Sequence, residues 1–129
     1  MPSGNSFSVA QRADLQRILT HAEETSGLTF GLHIGAWEGG REGVEAMLSR
    51  LPDPDRSVMV AVDPDAHTLE IVTGRLARIS IDDHACALAS MSMTSSFAVD
   101  DIVGGVRDGM SVLADHGRRQ RVEYLDLPN

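Results

Sequence analysis

Lysine is absent from this chain of 129 residues, in which all 11 basic side chains are arginines. The 19 carboxylates outnumber these arginines, and the formal net charge is -8. Phosphate backbones are held mainly by basic side chains clustered on one face, which an acidic chain of this kind lacks. The composition therefore argues against nucleic acid as a partner.

Cysteine is limited to Cys86, so no disulfide can form within the chain. Cys86 lies in the apolar run Ala-Cys-Ala-Leu-Ala, where a thiol is typically a small core residue. The neighbouring His84 keeps a nucleophilic role open as the less favoured alternative, because a nucleophile needs an accessible, electropositive setting and a paired base. We expect an inert thiol.

Long apolar runs are also missing, since no stretch approaches the roughly 20 residues that cross a bilayer. The N-terminus lacks a positive n-region, an apolar h-region and a small-residue cleavage site. We therefore expect a soluble, cytoplasmic protein with no membrane span, unless an export segment has been removed from its start.

The length and the 42% hydrophobic content predict one domain of ordinary size. We expect a flexible N-terminus over residues 1–7, a single domain over 8–117 and a C-terminal tail over 118–129. Arginines near the start of this tail suit the negative end of the last helix: Arg118, Arg119 and Arg121.

The first half of the chain predicts two helices around one strand. Ser8 and Gln11 have the spacing of a capping box, and Gly27 is a natural C-terminal stop. The stretch 28–37 alternates apolar with small residues, as a strand does, and we interpret His33 on its small-residue face as packed rather than as a ligand. A second helix follows, with an apolar stripe ended by prolines: Val44, Met47, Leu48, Leu51, Pro52 and Pro54.

A β-hairpin comes next. The run 57–62 is almost continuously apolar, as expected of a central strand, whereas 68–73 alternates, as expected nearer an edge. Asp63, Asp65 and His67 alternate in the turn and offer ligands to a hard cation. The glycine and the distal Glu of an EF-hand loop are missing, and Asp and Pro are what tight turns require, so we favour turn geometry.

The second half of the chain predicts a helix from about Asp83 and another from about Val99. Gly105 and Gly109 are spaced by four, which would leave one helix face bare for close packing. The expected fold is an α/β three-layer sandwich: a small mixed sheet with a central β-hairpin, flanked by about four helices.

Two acidic clusters precede these helices, Asp82-Asp83-His84 and Asp100-Asp101. One carboxylate in each is explained as an N-cap, and the other is not. If the two helix starts lie side by side, the clusters converge and would bind Ca²⁺ or Mg²⁺; the alternative is two simple caps. The candidate metal ligands are Asp82, Asp83, Asp101, Asp100, His84 and Asp63.

The order of these segments resembles the TPM domain family over approximately residues 8 to 116. The matching pieces are Thr25-Ser26-Gly27, Thr73-Gly74, Asp82 or Asp83, and the run 97–109 with Phe97, Asp101, Gly104, Gly105, Arg107 and Gly109. Ile102 stands where the family usually has an aromatic residue, and Arg75-Leu76-Ala77 stands where it often has Tyr-Gly-Leu. The resemblance therefore implies a divergent, uncharacterised actinobacterial branch.

The TPM family includes a thylakoid phosphatase, photosystem repair factors and many bacterial members without assigned activity. A plant member looks like a calcium-binding acid phosphatase, and its site would correspond here to the carboxylates around Asp82, Asp83 and Asp101, with Asp63 as a further candidate. Two hypotheses follow. One is a non-catalytic module that binds a protein partner or a divalent cation, and it is favoured because no nucleophile, base and orienting group can be assigned together. The other is a metal-dependent acid phosphatase.

Overall fold

The structure is a computed structural model that describes residues 7–125, with side chains described as far as Arg118. Its helices are α1 (Val9–Ser26), α2 (Gly40–Ser49), α3 (Asp83–Phe97) and α4 (Ile102–Leu125). Its strands are β1 (Thr29–Ile34), β2 (Ser57–Asp63) and β3 (Thr68–Thr73), and two short 3-10 turns cover Pro54–Arg56 and Ala77–Ile79. No helix in this part of the chain is both long and apolar enough to cross a bilayer.

The three strands form one mixed sheet in the order β1-β2-β3. Strand β1 runs parallel to β2, and α2 lies on the connection between them, while β3 pairs antiparallel to β2 through the hairpin. Residues 57–62 are all buried, as the continuous apolar run predicted for a central strand. The alternating strand β3 lies at an edge, also as predicted.

Helices cover both faces of the sheet, which confirms the three-layer sandwich. Because side chains alternate along a strand, Val58, Val60 and Val62 point to the larger core under α1, α3 and α4. Met59 and Ala61 point the other way, to a smaller core under α2. The first core contains the inner sides of three helices, so the larger part of the stabilising apolar burial lies there.

Helix α1 begins and ends where the sequence predicted. The Ser8 hydroxyl accepts from the Gln11 N–H at 3.1 Å, and the Gln11 side chain accepts from the Ser8 N–H at 2.9 Å. Gly27 then takes the left-handed conformation, with φ 78°, that closes a helix. These local signals needed no tertiary contact to act.

Helix α4 differs from the prediction at both ends. It begins at Ile102 rather than about Val99, because Asp100 adopts φ 62° and Asp101 becomes the capping residue. It continues through Gly117 to Leu125, so Arg118, at the start of the predicted tail, lies within the helix. Gly117 allows α4 to pack closely on the end of α1, because a Cβ at this position would lie only 2.8 Å from the Cβ of Ser26. Residues 1–6 and 126–129 of the predicted terminal segments lie outside the described residues.

Helices α3 and α4 form an antiparallel hairpin joined by a short connection. The position of Gly105 abuts Phe97, and that of Gly109 abuts Met93, so the two helices run past each other in opposite directions. The glycine spacing therefore reflects close helix packing, as predicted. The antiparallel direction also places the end of α3 beside the start of α4.

Candidate functional site

Each acidic cluster supplies the expected helix cap. The Ala85 N–H donates to Asp82 Oδ1 at 2.9 Å, and the Gly104 N–H donates to Asp101 Oδ1 at 3.0 Å. Each carboxylate therefore satisfies an amide that has no intrahelical partner and faces the positive end of its helix. The remaining members, Asp83, His84 and Asp100, are exposed.

The two clusters do not converge. Because α3 and α4 are antiparallel, the start of α4 lies beside the end of α3, and the 15 residues of α3 separate the clusters by about 22 Å. The condition for convergence, with the two helix starts side by side, is therefore not met in the described residues, and the alternative of two caps accounts for Asp82 and Asp101. Within the described residues no group of three or more His, Cys, Asp or Glu side chains could hold a metal ion. The geometry therefore gives no support to Ca²⁺ or Mg²⁺ binding by the predicted set.

Two of the predicted residues do come close to one cavity. Asp63 and Asp100 both line a space of about 110 Å³ where the hairpin turn meets the α3–α4 connection, together with His67 and Phe97. Asp63 Oδ1 accepts from the Ala66 N–H at 3.3 Å, which is the turn chemistry that the sequence favoured. Asp63 thus has a structural explanation of its own.

Cys86 is half-buried on the flank of α3. Burial raises the pKa of its thiol to about 11, and the neighbouring carboxylates of Asp83 and Asp82 raise it too, against the opposing effect of the Arg41 guanidinium. A thiol in this setting is protonated at neutral pH and is a poor nucleophile. His84 points to solvent, so no thiolate–imidazole pair supports the catalytic alternative.

His33 is held in a packed arrangement on the α2 side of the sheet. Its Nε2 lies 3.1 Å from the Ala36 carbonyl oxygen, and its ring meets that of Trp37 edge-on at 6.2 Å between centroids. Trp37 Nε1 donates in turn to the Gly40 carbonyl at 2.8 Å. These contacts join the end of β1 to the start of α2, in agreement with the interpretation of His33 as a structural residue.

The solvent side of α3 is a candidate binding surface that the sequence did not indicate. Its exposed positions recur every three or four residues and so form one stripe along the helix, here called the α3 face: His84, Ala87, Leu88, Met91, Thr94, Ser95 and Ala98. Met91 is 67% exposed, and Val99, directly after the helix, is 75% exposed. Large apolar side chains are thus left in water on this helix and directly after it.

The α3 face also carries no formal charge between its ends. Residues 85–99 contain no Asp, Glu, Lys or Arg, although 23% of the chain is charged. Exposed carboxylates mark both ends, with Asp82 and Asp83 at the start of the helix and Asp100 and Asp101 after its end. The result is an apolar and hydroxyl-bearing stripe about 22 Å long between two negative ends. The charge-free run was visible in the sequence, but its exposure was not.

Comparison with known proteins places this fold among domains whose activity is not assigned. A family model described as a domain of unknown function, DUF5130, matches residues 1–114. Two relatives are the uncharacterized proteins MT2543 and Rv2468c, from two strains of Mycobacterium tuberculosis. Each is 26% identical over 111 residues, which cover 84% of this chain and 65% of the relative. The chain thus spans slightly less than two thirds of the relatives' length.

Two solution structures show the same fold. The BA42 protein from Bizionia argentinensis superposes with a TM-score of 0.78 at 11% identity, covering 89% of this chain and 83% of that one. The N-terminal domain of cg2496 from Corynebacterium glutamicum superposes with a TM-score of 0.69 at 10% identity, covering 85% and 73%. At such identities the likeness concerns the fold alone.

Proposed function

Because this chain belongs to the DUF5130 family, whose function is unknown, we propose a function from its own surface: a non-catalytic module that docks a helical segment of a partner protein on the α3 face. The observation that carries the proposal is the uncharged, partly apolar outer side of α3. An exposed helix face of this composition is unusual, since solvated faces are normally charged or polar.

The apolar positions give the docking surface its binding energy. Leu88 and Met91 lie one turn apart on the α3 face and are 39% and 67% exposed. Methionine side chains are flexible and polarisable, and they suit surfaces that accept a partner helix. Covering Leu88 and Met91 would remove the two large apolar side chains of the α3 face from water, and covering Val99 beyond the helix would add to this burial.

The charges at its two ends define the chemistry of the partner. We infer an amphipathic helix of about four turns, with an apolar stripe along its length and Lys or Arg near both ends. Its basic residues would face Asp82 and Asp83 at one end and Asp100 and Asp101 at the other. Such end charges steer association and fix orientation more than they add affinity.

A hydrolase is the less favoured alternative. Metal-assisted phosphoryl chemistry requires several oxygen ligands around one cation, together with a positioned water. Of the carboxylates predicted for that role, Asp82 and Asp101 serve as helix caps near opposite ends of α3. In a docking module these carboxylates act in their observed positions, because they supply the negative charge at the two ends of the binding surface.

The resemblance to the TPM family stays part of the proposal. The run 97–109 supports it, and Gly105 and Gly109 within that run are positions at which α4 packs closely on α3. Close contact between the two helices gives these glycines a role in a helix interior, where each costs about 1 kcal/mol.

The test is site-specific photocrosslinking in the native host. A photoreactive side chain at Met91 should give a discrete adduct, and the captured protein should carry a basic-ended amphipathic helix. A peptide of that helix should then bind the purified chain, with affinity that falls as salt rises. The reactive group placed at Ala13, an exposed position of α1, is the control.

A matched pair of variants decides the location. Met91→Glu should weaken binding of that peptide by at least about ten-fold, whereas Val9→Glu, an apolar-to-acid change at another exposed position, on α1, should leave it unchanged. Equal crosslinking from positions 91 and 13, or equal binding by the two variants, would refute the proposal.

A further inference from the structure

A cavity of about 280 Å³ lies between α1 and α4. Its floor is apolar and almost fully buried, since Ala22 is 2% exposed, Met110 1% and Ala114 3%, and the half-buried Ile18 completes it. Polar side chains of both helices surround this floor at the surface: Asp14, Arg17, His21, Arg107 and Ser111. Sites for small molecules combine an apolar lining with a few polar groups that fix orientation, and they occur between packed helices. The cavity has the composition of such a site.

The cavity has a charged end and an apolar end. Gly117 of α4 packs against Ser26 at the end of α1, and Arg107 lines the cavity together with Asp14 from the first half of α1. The two helices therefore run in the same direction, with the arginines at one end of the cavity and the two alanines of the floor at the other. One turn beyond these alanines, a Cβ at Gly117 would lie 2.8 Å from the Cβ of Ser26, so no space for a ligand remains between the helices there.

The charged end is positive, although the chain as a whole has a net charge of -8. Arg17 and Arg107 carry two positive charges and Asp14 carries one negative charge, which leaves one positive charge in excess before any charge on the histidine. Two further acids of α4 lie one turn from Ser111 but do not line the cavity: Asp108 and Asp115. The cavity is thus a local exception to the acidity of the chain, and it favours an anion.

The two arginines have hydrogen-bond donors available for that anion. In the described part of the chain Arg107 has no ion pair, whereas Arg17 pairs with Asp14 through one nitrogen, Nη2. A guanidinium has several N–H donors in a fixed plane, so Arg17 keeps others for a ligand. Arginine binds a carboxylate through two parallel hydrogen bonds, which fix its orientation.

We propose that this cavity binds a small amphiphilic monocarboxylate, with the carboxylate on Arg107 and Arg17 and the apolar body over Ile18 and Met110. At about 30 Å³ for each non-hydrogen atom, the share that a water molecule takes, the space holds roughly nine such atoms. This is the size of an acid of about eight carbons. The single excess positive charge matches one carboxylate better than a phosphate monoester, which carries about -1.5 to -2. The site shares no residue with the α3 face.

An amide NMR titration of the full chain with octanoate tests the proposal. Amides within 14–22 and 107–114 should shift saturably, with a dissociation constant below about 1 mM. Octan-1-ol keeps the apolar body without the charge, and butyrate keeps the charge with a shorter body. Each should bind at least about ten-fold more weakly than octanoate. Octyl phosphate should bind no more tightly than octanoate.

Three variants locate the two parts of the site. Arg107→Gln should raise the dissociation constant for octanoate at least about ten-fold and leave that for octan-1-ol unchanged. Arg75→Gln removes an arginine that is 73% exposed and lies outside the cavity, so octanoate binding should stay unchanged. Asp14→Asn removes the carboxylate that lines the cavity and should tighten octanoate binding about two- to five-fold, a gain that a damaged fold could not produce.

Several results would overturn the proposal. One is the absence of saturable shifts at these amides up to about 10 mM octanoate, or shifts centred on another part of the chain. Binding of octan-1-ol as tight as that of octanoate would show a purely apolar site, and tighter binding of octyl phosphate would show a phosphate site. Equal affinity for octanoate in Arg107→Gln and Arg75→Gln would remove the arginine from the site.

Discussion

Helices α1 and α3 pack on the same face of the sheet and against the same helix α4, yet their solvent sides differ in kind. The outer side of α1 carries exposed charges such as Arg12, Arg17 and Glu24, whereas that of α3 carries none between residues 85 and 99. Folding needs only the inner sides, which are apolar in both helices. The difference shows that the outer side of α3 is not explained by the requirements of the core.

The inner side of α3 should be the least tolerant part of this pair. A Cβ at Gly105 would lie 2.5 Å from Phe97 Cε1, so Gly105→Val overpacks the α3–α4 contact. We expect a loss of about 2 to 3 kcal/mol in the free energy of unfolding, measured by urea denaturation. Ser111→Val, at an exposed position of α4, should stay within about 0.5 kcal/mol. A loss in Gly105→Val as small as that in Ser111→Val would show that α3 and α4 are not closely packed.

The rate of thiol labelling should distinguish the half-buried flank of α3 from its exposed outer side. Because the pKa of Cys86 is raised from 9.0 to about 11, its thiolate fraction at pH 8 is about 100-fold lower than that of an unperturbed thiol. Alkylation of Cys86 at pH 8 should be slower by about that factor and should accelerate up to about pH 11. Met91→Cys in a Cys86→Ala background should label at the rate of a free thiol, and equal rates at the two positions would contradict the comparison.

The helix caps should contribute independently. Asp82→Ala and Asp101→Ala should each lower the free energy of unfolding by about 1 kcal/mol, as should Ser8→Ala on α1. Because α3 separates the two aspartates by about 22 Å, their double variant should show the sum.

The same variants discriminate capping from metal binding. Ca²⁺ or Mg²⁺ should leave the melting temperature of the parent and of the Asp82→Ala, Asp101→Ala double variant equally unaffected. Strong non-additivity together with metal-dependent stabilisation would restore a shared metal site.

The smallest effect on stability is expected on the α3 face. Met91 is 67% exposed, so Met91→Glu should change the free energy of unfolding by less than about 0.5 kcal/mol. Arg17→Glu on the outer side of α1 should be equally mild. A large destabilisation by Met91→Glu in thermal unfolding would mean that Met91 serves the fold, which would remove the distinction between the two helices.

Local signals in the sequence were sufficient for much of the fold. The capping box at Ser8, the stop at Gly27 and the continuous apolar run of β2 each act within a few residues, and each was confirmed. The start of α4 was misplaced because the left-handed conformation of Asp100 is a property of the connection, which residue type alone does not specify. The end of α4 was placed too early. Gly117 lies inside the helix, where the lack of a side chain allows close packing against Ser26.

The candidate site depended on tertiary arrangement and was predicted less well. The separation of the acidic clusters follows from the antiparallel packing of α3 on α4, which a helix pair with a short connection could have indicated. The exposure of Met91 depends on which side of α3 meets α4. The bonds from Glu23 to Phe30 and from Arg41 to Ile71 join different elements, and no local pattern announces them.

Arg41 and Arg78 have a consequence for how the β3 edge of the sheet meets other chains. Arg41 Nη1 donates to the Ile71 carbonyl at 3.4 Å, and Arg78 Nη2 donates to the Thr73 carbonyl at 3.2 Å. Two acceptors that an approaching strand would need are therefore occupied by cationic side chains. Charged side chains of this kind discourage edge-to-edge pairing, so they act against aggregation through β3.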